Sequence, residues 1–300
     1  MDVEEIGKQI IEEQRKLPES NRLTYIKKRL ADIPQKFREE LETCIWLYLL
    51  DHQAQPQKTV IALIHGIRTC ATWQELVRHK LNERESTITY PIGYGYLDVF
   101  RFWCPFVTRK KPIDRILNEL RGIQTKHRND KVCVIAHSFG TYIISQILLD
   151  HSDVHLDRLL LCGSVIPENF KWDKIANLPA DGVVNDCGSK DIWPVLAKCT
   201  SWGYGASGTF GFKTHKVHDR YHNFGHSDFF NMDFFDSYWL PFVVDNKIIE
   251  SEFEINRPTP NFCLTIFSNL PIKSLLVLYF TYPLLLSLFS YVKHWLILKH

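Results

Sequence analysis

The sequence predicts an α/β fold: a mostly parallel, doubly wound sheet, preceded by a helical segment and followed by a hydrophobic helix. Three observations predict it. Short apolar runs such as "TVIALIH" (59–65) and "KVCVIAH" (131–137) have the pattern of strands buried on both faces. Stretches with helical apolar spacing separate them, so strands and helices alternate. Residues with reactive side chains follow directly after those runs, where an open parallel sheet collects its functional groups.

The elements can be justified in order. Residues 1–57 form a charge-rich helical N-terminal segment. Ile6, Ile10 and Ile11 recur at helix spacing, then Leu23, Ile26 and Leu30, then Phe37, Leu41 and Ile45, and Pro18 and Pro34 divide three short helices. "DHQAQPQK" (51–58) is a polar linker. Residues 1–50 are expected to engage a protein partner or to cap the domain that follows.

Residues 58–260 carry the α/β pattern. Strands are expected at 59–65, 86–92, 131–137, 156–164 and 182–188. An amphipathic helix follows Gly66. "PIDRILNELRGI" (112–123) is a helix with proline at its first position, and 140–150 is another. The glycine-rich "SWGYGASGTFGFK" (201–213) reads as a mobile loop.

Residues 272–300 are different. Positions 274–292, "SLLVLYFTYPLLLSLFSYV", hold no charge and no histidine. As a helix they extend roughly 28 Å at about 1.5 Å per residue, close to the hydrocarbon thickness of about 30 Å. Lys273 and Lys293 flank the run, and Tyr279, Tyr282, Tyr291 and Trp295 supply interface anchors. Pro283 falls mid-segment, which membrane helices tolerate better than soluble ones. The expectation is a membrane anchor, the alternative a helix buried in a core or dimer interface. The acidic, polar N-terminus, "MDVEEIGKQI", has no secretory-signal pattern. The catalytic part is therefore expected on the cytoplasmic side of a membrane.

Composition narrows the function. A formal net charge of +2 gives no electrostatic footprint for nucleic acid. The eight cysteines form no C-x-x-C pair for zinc, and those in strand-like runs, Cys133 and Cys162, act as small apolar residues. Neither a metal nor an organic cofactor is expected.

The chemistry centres on "VIAHSFGTY" (134–142). Ser138 follows a strand and precedes a helix in A-H-S-F-G, a form of G-x-S-x-G with Ala136 first and Gly140 last. Small residues on both sides let strand and helix approach at a tight turn that exposes the serine. A serine hydroxyl needs a base. Asp191, in the loop after the strand at 182–188, is the preferred acid over Asp186. His226 in "NFGHSDFF" (223–230) is the preferred base over His215, His218 and His222. "LIHGIRT" (63–69) ends an early strand with His65-Gly66, so that the Ile67 N–H, with that of Phe139, forms an oxyanion hole. Arg68 adds a positive charge there, to bind an acidic substrate group or to fix its loop.

In these parts and their order the chain resembles the α/β-hydrolase family of lipase- and esterase-like serine hydrolases, over about residues 58–235. "LLLCGSVIP" (159–167) is similar to a lipase-type strand ending in G-S, and "HGIRT" with "PIGYGYLDVFRFW" (91–103) is similar to uncharacterised bacterial hydrolases. The resemblance implies Ser138 as nucleophile, Asp191 as orienting acid, His226 as general base, and Ile67 and Phe139 as oxyanion donors. It implies hydrolysis of an ester or thioester, of a lipid or acylated substrate if the tail reaches a membrane. The aromatic stretches 94–110 and 167–180 are then a lid or acyl pocket, or plain core. The competing reading is a catalytically silent hydrolase-fold module that recruits partners at a membrane.

Overall fold

The computed structural model describes residues 3–53, 57–66, 72–93 and 109–275, with scattered positions up to 287. Ile67, Arg68, most of the aromatic stretch 94–110 and much of 274–292 lie outside the described residues. The chain forms two compact units, Met1–Gln57 and Lys58–His300.

The first unit contains three helices, α1 (Val3–Arg15), α2 (Glu19–Ala31) and α3 (Gln35–Gln53). Pro18 precedes α2 in an extended conformation, φ −53° and ψ 144°, so the break falls where a proline ends helical hydrogen bonding. Ile10, Ile11, Ile26, Leu30, Leu41, Ile45 and Leu49 form its core. Leu23, expected among them, is exposed instead.

The second unit is built on six strands: β1 (Thr59–Ile64), β2 (Thr87–Ile92), β3 (Lys131–His137), β4 (Arg158–Cys162), β5 (Val183–Gly188) and β6 (His218–His222). Their order is β2-β1-β3-β4-β5-β6, and every pairing is parallel. From β1 the chain winds outward to β2, then crosses back to β3 on the other side. The winding reverses between β1 and β3, the place where open α/β sheets bind ligands at their carboxyl ends.

Both faces are covered. Val60, Ala62 and Ile64 share a core with α5 (Lys110–Lys126) and α6 (Phe139–Asp150). Ile61 and Leu63 face the other way, toward α4 (Thr72–Asn82) and the segment 229–243. This period-two division explains why the strands read as unbroken apolar runs. The remaining helices are α7 (Trp193–Thr200), the short α8 (Ser207–Phe210), α9 (Met232–Phe234), α10 (Leu240–Asp245) and α11 (Phe262–Asn269). A π-helical turn, Phe235–Trp239, joins α9 to α10.

One expectation changes. The stretch 201–213 is not a loose loop, since Tyr204 to Thr209 are buried. Its glycines serve close packing: a Cβ at Gly208 would lie 2.2 Å from Ser164 N, and one at Gly205 would lie 2.2 Å from Pro167 Cα. At the C-terminus, no helix among the described residues is long and apolar enough to cross a membrane. There α11 ends before Pro271 and packs on α7, with Leu264 and Ile272 against Val195 and Cys199.

Candidate active site

Ser138 stands at the carboxyl end of β3 and caps α6 with φ 54° and ψ −123°. Asn246 is the other non-glycine with positive φ among the described residues, and it closes α10 in the ordinary left-handed conformation. The Ser138 conformation is rarer and costs about 1–3 kcal/mol, which the flanking strand and helix must impose. Its neighbours explain how they do so. A Cβ at Gly140 would meet Ile64 O at 2.7 Å and His65 O at 3.0 Å. Ala136 is fully buried. Only small side chains let α6 leave the sheet this close to β1.

The turn after β1 presses on the serine from the other side. A Cβ at Gly66 would sit 2.6 Å from Ser138 Cβ and 3.1 Å from its Oγ. His65 is held by its own turn, with Nδ1 2.5 Å from Gly66 O. Because a carbonyl can only accept, that nitrogen carries the proton. Phe139 opens α6, at the end where helix N–H groups point outward, and its ring is buried against Tyr142 and Tyr204.

Asp191 and His226 are brought together. Asp191 is wholly buried in the turn after β5. Its Oδ2 lies 2.8 Å from His226 Nδ1, and its Oδ1 accepts from Trp193 N at 3.1 Å. Thr209 Oγ1 donates to the Asp191 carbonyl at 2.8 Å, so the buried α8 region pins this loop. Gly163, with φ 55°, packs against His226: a Cβ there would be 2.9 Å from His226 Nδ1 and Cε1. This is the physical content of the G-S ending of β4. Among the described residues Ser138 Oγ makes no hydrogen bond to His226; such bonds often tighten only in the substrate complex.

Asp186 plays a different part. Arg220 Nε and Nη2 donate to its two oxygens at 2.8 and 2.9 Å, Trp239 Nε1 donates at 2.8 Å, and His222 Nε2 lies 3.0 Å away. Burial would raise its pKa, but Arg220 and His222 hold it down to about 2. With its acceptor sites taken and no exposed surface, Asp186 is a structural anchor. His222 belongs to this anchor, and His218 pairs with Glu250 at 3.0 Å. Sequence reasoning missed the anchor, and with it β6, whose segment "HDRYH" has no apolar alternation.

It also missed His137. This residue is fully buried; its ring centroid lies 4.5 Å from that of His226, and Phe230 and Trp73 wall it in. Its Nε2 lies 3.1 Å from the His226 carbonyl oxygen. Its Nδ1 is buried without a partner among the described residues, a cost of about 1–3 kcal/mol for an unsatisfied acceptor. Burial, and next the nearby His226, push its pKa well below the usual histidine value. Trp193 is 58% exposed with its ring 6.2 Å from that of His226, and Ile192, Leu196 and Trp202 are exposed along the same segment.

No protein-family model and no curated protein matches the sequence. Some of the similar solved structures are described as hydrolases and others as uncharacterized. A predicted CIB-like hydrolase from Thermoplasma acidophilum has 15% identity and a TM-score of 0.38, with 72% of this chain and 89% of that chain covered. An α/β serine hydrolase homologue from Coxiella burnetii has 13% identity and a TM-score of 0.36, covering 64% and 87%. An uncharacterized protein from Bacillus cereus has 11% identity and a TM-score of 0.46, covering 80% and 76%. The wholly parallel sheet, ordered β2-β1-β3-β4-β5-β6 with helices on both faces, fits the α/β-hydrolase fold.

Proposed function

We propose that this chain is a serine hydrolase that cleaves an ester or thioester through an acyl-enzyme on Ser138. One observation carries the reading. A serine forced to φ 54° at a strand–helix corner shares the carboxyl edge of one sheet with a histidine bonded to a buried carboxylate. Ser138 Oγ attacks the acyl carbonyl carbon as its proton passes to His226 Nε2. Asp191 holds the Nδ1–H tautomer and stabilises the imidazolium. The oxyanion is stabilised by the Phe139 N–H together with that of Ile67. His226 returns the proton to the departing alcohol or thiol. Water, deprotonated by the same base, then releases the acid and restores Ser138.

The exposed Trp193 ring beside His226 supports an acyl group of lipid character. Attachment to a membrane through 274–292, with the catalytic unit on the cytoplasmic side, rests on the sequence of that run. Fractionation with and without residues 270–300 tests it, and an intact chain that stays soluble removes it. The catalytic reading is tested by fluorophosphonate labelling. Wild-type protein should label and Ser138→Ala should not; a folded wild type that never labels points to a silent module.

A further inference from the structure

We infer that His137 is a positioning residue for the base: a permanently neutral, Nε2-protonated imidazole whose N–H holds the His226 carbonyl while its ring backs the His226 ring. The inference rests on the hydrolase reading for its kinetic consequence, but its structural half stands independently. A carbonyl oxygen can only accept, so the 3.1 Å contact from Nε2 requires a proton on that nitrogen. If Nδ1 were protonated too, a second N–H would be buried where no acceptor meets it among the described residues. The tautomer is therefore set by geometry.

The titratable groups that face His137 give neutrality a purpose. They are His226, 4.5 Å away ring to ring, and His65 on the turn after β1. Asp191 faces His226 rather than His137. During turnover His226 must become a cation. A charged neighbour at 4.5 Å would oppose that step, whereas a neutral ring does not. The backbone contact has its own consequence. Asp191 orients the His226 ring through Nδ1; the backbone on either side is held by Gly225 N–H to Asp228 Oδ2 at 2.8 Å and by Phe230 N–H to the Ser227 carbonyl at 3.1 Å, and neither of these ties it to the strand that carries Ser138. His137 sits next to the nucleophile in the chain and grips that backbone. The base is thereby indexed to the strand that carries the serine.

The test uses the full chain, with 15N-histidine NMR and fluorophosphonate inactivation kinetics on wild type, His137→Phe and His137→Gln. In wild type the His137 ring should hold the Nε2–H tautomer with no titration between pH 5 and 8. His137→Phe keeps the aromatic packing and loses the donor. Its maximal inactivation rate should fall roughly 10- to 100-fold, as expected for a misplaced catalytic group, with half-saturation by the probe changed less than twofold. His137→Gln restores an amide N–H and should recover most of the rate. A His137 that titrates near its ordinary value, or that carries its proton on Nδ1, overturns the inference even if neither variant folds. So does a folded His137→Phe that labels at the wild-type rate. Wild-type protein that never labels sinks the hydrolase reading instead, and the NMR result still decides the tautomer.

Discussion

His226 Nδ1 and Asp191 Oδ2 lie 2.8 Å apart, and no surface of that carboxylate is exposed. Asp186, five residues earlier, is equally buried but is bound by Arg220, His222 and Trp239. The two acids should therefore fail in different ways. Asp191→Asn should fold with near wild-type stability and lose roughly three to four orders of magnitude in turnover, because the wrong His226 tautomer is favoured. Asp186→Asn strands the buried Arg220 cation and should cost about 3–5 kcal/mol in stability. Urea unfolding alongside labelling rates separates the two. A strongly destabilised Asp191→Asn with normal turnover per folded molecule would exchange the roles.

The glycine contacts around the serine predict a graded series. Gly66→Ala places a methyl 2.6 Å from Ser138 Cβ, and Gly163→Ala places one 2.9 Å from His226 while also straining φ 55°. Both should reduce labelling at least tenfold. Gly163→Ala should also lose about 1–2 kcal/mol from its left-handed backbone. Gly122→Ala meets nothing within 4 Å on helix α5 and should raise stability by about 0.5–1 kcal/mol with labelling unchanged. Equal labelling by all three variants would disprove the crowded elbow.

Burial of the glycine-rich stretch makes a separate claim. Gly208 is seated against the backbone of Gly163 and Ser164, and Ser207 Oγ donates to Ser164 Oγ at 2.9 Å. Gly208→Val should cost about 1–3 kcal/mol or more through overpacking. It should also disturb labelling, since Thr209 holds the Asp191 carbonyl. Protease nicking within 201–213 of the folded wild type, with retained labelling, would contradict this packing.

Much of this architecture was legible because a parallel sheet covered on both faces announces itself in apolar runs. Five strands, and the helices α5 and α6, fall within a few residues of their expected limits. What was not legible is long-range. β6 is polar in sequence, and its Arg220 is buried only because Asp186, 34 residues earlier, neutralises it. Glycine content alone does not tell a flexible loop from a close-packed one; the difference at 201–213 lies in the backbone of 163–168 across the gap. Asp191 could be singled out by its loop, but the separate part played by Asp186 is visible only with Arg220 and Trp239 in place. His137 was visible only as the end of a strand, since its partner is a carbonyl 89 residues away.

Two buried groups should pull stability in opposite directions with pH. Burial holds the folded pKa of His137 well below the ordinary histidine value of about 6.5. Below pH 6.5 the unfolded chain binds a proton that the folded chain refuses, so stability falls as pH falls beneath that value. Asp219 is raised by burial from 3.8 to about 6, despite hydrogen bonds from Asn185 and the Phe212 N–H. Between those values the folded chain holds the extra proton, so this group lowers stability as pH rises from about 4 to about 6. Asp219→Asn should remove that opposing slope and make wild-type-like stability rise more steeply with pH across this window. His137→Gln should do the reverse and leave stability declining over it. Urea midpoints measured every half unit from pH 4 to 7 check both. Parallel curves for wild type and the two variants would show that neither group changes its proton occupancy on folding.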